Sequence, residues 1–88
     1  MFYIYVLQSQ KDGELYVGST NDLKRRFAEH NAGDVTSTKP RRPLLLIYYE
    51  AYLAEVDART RESQLKLRGR ALGQLKRRLQ HCLRQDLE

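Results

Sequence analysis

Phe2-Tyr3-Ile4-Tyr5-Val6-Leu7, followed after seven residues by Leu15-Tyr16-Val17-Gly18, is the stretch that decides the fold. The first run is aromatic and β-branched and reads as a buried strand. Gln8 to Gly13 is polar and ends in Asp12-Gly13, a turn signal. The second run then reads as a short strand returning antiparallel to the first. Side chains alternate faces along a strand, so Tyr3 and Tyr5 share one face while Phe2, Ile4 and Val6 share the other. A four-residue loop from Ser9 to Asp12 would set Tyr5 opposite Tyr16 and Tyr3 opposite Gly18. Two phenols would stand side by side, with open space beside them at the glycine. Such a pair is either a sheet stabiliser worth about 0.2–1 kcal/mol or part of a site.

Outward from the hairpin, Asn21 or Thr20 is placed to cap a helix running to about Asn31, with Asp22 in its first turn. Leu23 and Phe27, four apart, form its core stripe, and Gly33 stops it. Residues 34–42 are a loop rich in Thr, Ser and basic residues, with prolines at 40 and 43. Leu44 to Tyr49 reads as a third strand. Residues 54–67 and 70–83 read as two helices separated at Gly69. In the last, Leu72, Leu75, Leu79 and Cys82 have the 3, 4, 3 spacing of a buried stripe. The fold expected is α+β, a small three-stranded antiparallel sheet flanked by helices in the order β-β-α-β-α-α. One domain is expected over residues 1–88.

The 88 residues include 16 Lys and Arg against 11 Asp and Glu, a formal charge of +5. At 41% apolar and 31% charged, the chain is globular in composition. Apolar runs such as Leu44 to Tyr49 are too short for a membrane helix. The amino end lacks the basic start and apolar stretch of a signal peptide. Cys82 is the sole cysteine, which excludes an internal disulfide and a cysteine zinc site. A cytoplasmic protein without a membrane partner is the corresponding expectation. The charge is unevenly placed. Residues 1–57 hold 7 basic and 8 acidic side chains, residues 58–88 hold 9 and 3. A basic block of this kind fits a polyanion partner, nucleic acid ahead of membrane, or is simply a solvated helix face.

Three further residues carry chemistry. Arg26 and His30 lie one helical turn apart and can point at one spot. A guanidinium fork suits phosphate, and an imidazole can pass a proton; an exposed solvated pair is the plain alternative. Glu62 falls on the same stripe as Ala54, Ala58 and Leu65. A carboxylate there is costly unless paired. An arginine or a divalent cation would serve, since Mg²⁺ is held by one or two carboxylates with phosphate and water. The alternative is an edge position with Glu62 ion-paired to Lys66 or Arg59.

Taken together, Tyr3-Ile4-Tyr5, Tyr16-Val17-Gly18, Thr20, Asp22-Leu23, Arg26, His30 and Glu62 resemble the GIY-YIG nuclease superfamily. The chain is most similar to its small stand-alone bacterial members and to the amino-terminal domain of the excision-repair nuclease. The resemblance extends over nearly the whole chain, including Pro40-Arg41-Arg42-Pro43 and Tyr48-Tyr49-Glu50. Tyr3 stands where the signature has its first glycine. The asparagine that larger members place after the glutamate helix has no clear counterpart.

The resemblance implies a metal-dependent endonuclease that hydrolyses DNA phosphodiesters with one divalent ion, Mg²⁺ or Mn²⁺, in a setting such as DNA repair. It assigns Tyr5, Tyr16, Arg26, His30 and Glu62 to the catalytic site. Glu62 would hold the metal and Arg26 would neutralise phosphate charge in the transition state. Tyr5 is preferred as the general base and Tyr16 as the phosphate ligand. A phenol with a pKa near 10 needs a nearby cation for that role, and His30 would hydrogen-bond the tyrosine or the phosphate. Lys39, Arg41, Arg42, Arg59 and Lys66 are candidate nucleic-acid contacts, with the basic last third expected to hold a phosphate backbone over the site. DNA is the expected partner, with substrate choice coming from the chain's own loops, from DNA structure or from a targeting protein. A weakly catalytic or non-catalytic nucleic-acid-binding module is the alternative, and a partner-docking protein using the tyrosine-rich strands is a third reading.

Overall fold

The structure, a computed structural model, describes residues 1–83. It has the expected element order: β1 (Phe2–Ser9), β2 (Leu15–Thr20), α1 (Leu23–Ala32), β3 (Leu44–Tyr52), α2 (Glu55–Lys66) and α3 (Arg70–Arg78), with one 3-10 turn at Lys39–Arg41 before β3. The sheet is antiparallel in the order β2-β1-β3. β1 is therefore the middle strand, which explains its unbroken apolar run: residues 4–9 are all buried because both faces are covered.

The hairpin register differs from the sequence expectation. Tyr5 stands opposite Gly18, Leu7 opposite Tyr16 and Tyr3 opposite Thr20. The turn lies one residue further along, closed by Ser9. The Ser9 hydroxyl accepts from the backbone N–H groups of Lys11 and Asp12, and the Ser9 carbonyl accepts from Gly13. Gly13 takes a left-handed φ of 77° that favours glycine. The displacement preserves the faces, so Tyr5, Tyr16 and Gly18 remain on one side.

α1 is capped by Asp22 rather than by Asn21 or Thr20. Its Oδ1 accepts from Arg25 N–H at 3.1 Å, while Thr20 Oγ1 accepts from Asp22 N–H. Gly33, at φ 85°, closes the other end as expected, with Asp34 N–H bonded back to the Glu29 carbonyl. β3 runs three residues beyond Tyr49 and carries a bulge between its pairings with Val6 and Leu7, where Ile47 is the extra residue. The bulge exchanges the faces: Leu44 and Leu46 lie on the α1 side, and beyond it Tyr48 and Tyr52 lie on the α2 side.

Two cores result. On one side of the sheet Ile4, Val6, Leu15 and Val17 pack against Ala58 and Leu65 of α2 and Leu72 and Leu75 of α3, with Leu79 just beyond. Each such aliphatic side chain contributes about 1.5–3 kcal/mol of transfer energy. On the other side a smaller cluster of Tyr5, Leu7 and Leu44 takes Leu23 and Phe27 of α1. Two helix readings need correction. Ala54 is the exposed N-cap of α2, so its buried stripe begins at Ala58. α3 ends at Arg78, so Cys82 falls beyond the helix and is exposed rather than a core residue.

Candidate active site

Tyr5 comes from the middle strand, Tyr16 and Gly18 from the edge strand β2, and Arg26 and His30 from α1. The structure brings the three rings together: Tyr5 and Tyr16 centroids are 6.4 Å apart, Tyr5 and His30 5.7 Å, Tyr16 and His30 5.0 Å. Gly18 makes this possible. A Cβ there would sit 2.5 Å from Tyr5 Oη and 3.1 Å from Tyr16 Cε2. The glycine is required by the close approach of the Tyr5 ring.

The Tyr5 hydroxyl is buried and lies 2.9 Å from His30 Nε2; His30 Nδ1 lies 2.8 Å from Thr38 Oγ1. Tyr5, His30 and Thr38 are each at most 1% exposed. Thr38 Oγ1 in turn faces the Val35 carbonyl at 3.5 Å. A Thr38 hydroxyl donating to that carbonyl accepts from Nδ1–H, which leaves Nε2 to accept from Tyr5 O–H. Burial pushes the Tyr5 phenol up to about 12, against the pull of the Arg26 guanidinium beside it. Burial, then the charge of Arg26, lowers the pKa of His30 and holds the imidazole neutral. Arg26 is half-exposed and is steadied by Glu29, whose Oε1 lies 3.0 Å from Nη1.

Glu62 approaches from the opposite layer. Ser19 follows Gly18 and therefore faces α2; its hydroxyl donates to Glu62 Oε1 at 2.7 Å. Lys66 Nζ lies 2.8 Å from Oε2. These two hydrogen bonds outweigh the cost of burial and hold the carboxyl below its ordinary pKa. Its charge still reaches Tyr5, whose pKa it raises. The constellation thus wraps round edge strand β2 at Gly18-Ser19, with four residues on the α1 side and the carboxylate on the other.

The donor set fits a hard divalent ion to the extent of one ligand. Glu62 offers an ionised oxygen, and no group of three or more acidic, His or Cys side chains able to hold a metal occurs among the described residues. Any remaining ligands would be substrate phosphate and water, the usual arrangement for Mg²⁺.

The candidate nucleic-acid contacts separate into two groups. Arg41 lies 3.7 Å from Asp12, Arg59 3.0 Å from Glu55, and Lys66 is held by Glu62. Lys39 and Arg42 are exposed without an acidic partner among the described residues, on the loop that carries Thr38. A groove of about 510 Å³ lined by Tyr3, Leu23, Phe27, Leu46 and Tyr49 lies on the same sheet face as Tyr5. α3 does not lie over this face. It packs on the opposite side, so its cations do not hold a backbone over Tyr5, as the charge distribution alone had implied.

Thr38 and Ser19 are the site residues that sequence reading misses. Strand alternation after Gly18 already aims Ser19 at α2. Thr38 leaves no such signal, being one hydroxyl in an irregular loop. A second, half-buried cluster is also unforeseen. Tyr48 and Tyr52 both donate to Glu50, and Arg61 Nε lies 3.0 Å from Glu50 Oε1, tying β3 to α2 one residue before Glu62.

A small α+β domain in which two tyrosines, an arginine and a histidine meet on one sheet face, with a carboxylate round the edge strand, defines a class. Residues 1–80 match the family of the GIY-YIG catalytic domain, and the chain belongs to it. It is 40% identical over 65 residues to the UPF0213 protein SH2523 of Staphylococcus haemolyticus, covering 73% of this chain and 78% of that one. It is 40% identical over 72 residues to the UPF0213 protein VNG_2274C of Halobacterium salinarum, covering 81% and 92%. A UPF0213 protein of Streptococcus pneumoniae serotype 4 is 39% identical over 69 residues, covering 77% and 69%. No solved structure matches. Family membership makes this a nuclease-type domain with a nucleic-acid substrate. No helix of the described residues is long and apolar enough to cross a membrane.

Proposed function

We propose that this protein is a divalent-metal-dependent endonuclease that hydrolyses DNA phosphodiester bonds. The observation that carries the reading is the buried chain from Tyr5 through His30 to Thr38 beside the Arg26 guanidinium. A phenol raised to about 12 cannot hold a proton's worth of charge unaided near neutral pH. As Tyr5 takes a proton from the attacking water, its own passes to the neutral Nε2 of His30. Thr38 keeps that nitrogen free by receiving Nδ1–H. Arg26 stabilises the charge gathering on the phosphate oxygens, and Tyr16, the less buried phenol, hydrogen-bonds the phosphate. Glu62 would hold Mg²⁺ or Mn²⁺, and such an ion, when bound, supplies Lewis-acid stabilisation of the leaving 3′ oxygen. DNA repair and a cytoplasmic setting belong to the same proposal, as does a separate protein that supplies targeting.

The second reading is a module that binds nucleic acid and cuts weakly or not at all. It is favoured by the occupancy of both Glu62 oxygens by Ser19 and Lys66.

Incubation of the protein with supercoiled, branched and single-stranded DNA in Mg²⁺ or Mn²⁺ tests the first reading against the second. Arg26→Ala is expected to lower cutting by about 10²–10³. Glu62→Ala is expected to abolish cutting and keep binding. Binding by the unmodified protein with no cutting in either ion would establish the module instead.

A further inference from the structure

The outer face of α3 carries a feature that the fold itself does not use. Arg70, Gly73, Gln74 and Arg77 project on the side of the helix opposite Leu72 and Leu75, and all four are exposed. Lys76 and Arg78 stand on its two shoulders. Among the described residues, no ion pair involves any cation of α3. By contrast, Arg59, Arg61 and Lys66 of α2 each have an acidic partner. Beside this face lies a hollow of about 460 Å³ bordered by Arg61, Gln74 and Arg78.

Gly73 sits in the middle of this face, inside the helix. Glycine is the poorest helix former after proline. Three of the other glycines have internal reasons: Gly18 admits the Tyr5 ring, while Gly13 and Gly33 take left-handed φ values; the fourth, Gly69, stands outside the helix as its N-cap. At Gly73 a Cβ would meet nothing within 4 Å, and its φ is not left-handed. A helix-weakening residue with no internal use, flanked by cations that have no acidic partner among the described residues, fits a surface that something approaches closely from outside.

We propose that the outer face of α3 is a second nucleic-acid contact. A phosphate backbone runs along Arg70, Gln74 and Arg77 and passes close over Gly73, on the side of the sheet away from Tyr5, Arg26 and His30. The inference rests on the nucleic-acid reading of the domain and adds to it. One molecule engages two segments of nucleic acid, one on each side of its sheet.

The test is binding of a fluorescent DNA duplex and a fluorescent single strand across a salt series. It uses the full chain, Gly73→Ala, the double variant Arg70→Gln/Arg77→Gln, and Arg26→Ala as a variant of the other face. Removing two phosphate contacts is expected to flatten the slope of log affinity against log salt by about 1.8 for duplex. Gly73→Ala is expected to raise Tm by about 4 °C or more while weakening binding. That opposition is one a merely structural glycine would not produce. Unchanged affinity and slope in both α3 variants, with Tm still raised in Gly73→Ala, would overturn the proposal. If cutting is still lost in Arg26→Ala, the nuclease reading survives that failure. Absence of binding to either probe at low salt by the full chain would overturn both.

Discussion

The two sides of the sheet are built on opposite principles. The side facing α2 and α3 is an aliphatic core of Ile, Val and Leu with cations on its outer rim. The side facing α1 buries a phenol, an imidazole and a hydroxyl in a line, among only a few aliphatic residues. The first yields stability in proportion to area. The second yields little of that, because each buried polar group must be matched before it stops costing energy. In return it orders a line of hydrogen bonds from Tyr5 through His30 to Thr38. Stability and chemistry are thus separable here across one layer of backbone, and substitutions can break that separation or sharpen it.

The largest effect belongs to the aliphatic side. Leu65→Ala, at a fully buried position, is expected to cost about 2–5 kcal/mol in urea denaturation. For a domain of this size that is a large share of the total. A loss below 1 kcal/mol would mean that the stabilising core lies elsewhere. Gly18→Ala crosses from one side to the other. Its methyl group would collide with the Tyr5 ring, so a stability loss of about 1–3 kcal/mol is expected together with displacement of the phenol, visible in near-ultraviolet circular dichroism.

Thr38→Val keeps the shape of the buried side chain and deletes its hydroxyl. It leaves His30 Nδ1 unmatched at a cost of about 1–3 kcal/mol. Nitrogen-15 NMR of the imidazole should show Nδ1–H in the unmodified protein and a mixture of tautomers in the variant. Thr38→Ser should restore the first pattern. Retention of the Nδ1–H form in Thr38→Val would deny the threonine its orienting role.

The smallest effects are read by titration. Tyr5 and Tyr52 ionise near 12 in the folded chain against about 10 when unfolded, so the proton favours the fold. Their contribution is complete below pH 10 and is lost as the pH rises to 12. Absorbance at alkaline pH should show these two phenols ionising near pH 12. His30 works in the opposite sense. Its lowered pKa means that stability is present above about 6.5 and declines as acid protonates the imidazole. Cutting should fall over the same acid range, because Nε2 must be neutral to accept a proton.

Much of this was legible in the sequence. The unbroken apolar run of β1 marks a strand covered on both faces. Alternation pairs Tyr3 with Tyr5 and Tyr16 with Gly18, and the pairing differs from the expected one by two residues, which keeps both pairs on one side. The one-residue displacement of the turn was not legible, because Ser9 decides it through three local hydrogen bonds that compete with the Asp12-Gly13 signal. Thr38 stayed hidden because an irregular loop has no period to read. The position of α3 behind the sheet stayed hidden because a stripe of leucines tells which face of a helix is buried and not which side of the sheet buries it. The candidate site residues were recognisable by type and spacing, and the structure brings the Tyr5, Tyr16 and His30 rings together. The partners that set their protonation were not.

The bulge at Ile47 gives β3 two reading frames. Up to Leu46, even-numbered residues belong to the chemical side of the sheet; from Tyr48 onward, they belong to the structural side. Loss of Ile47 alone would leave Glu50 beside Arg61, because Leu46 could still pair with Leu7 and Tyr48 with Val6 across a regular ladder. The inserted residue is a change of phase: it alters which sequence positions face each layer without altering which strands they pair.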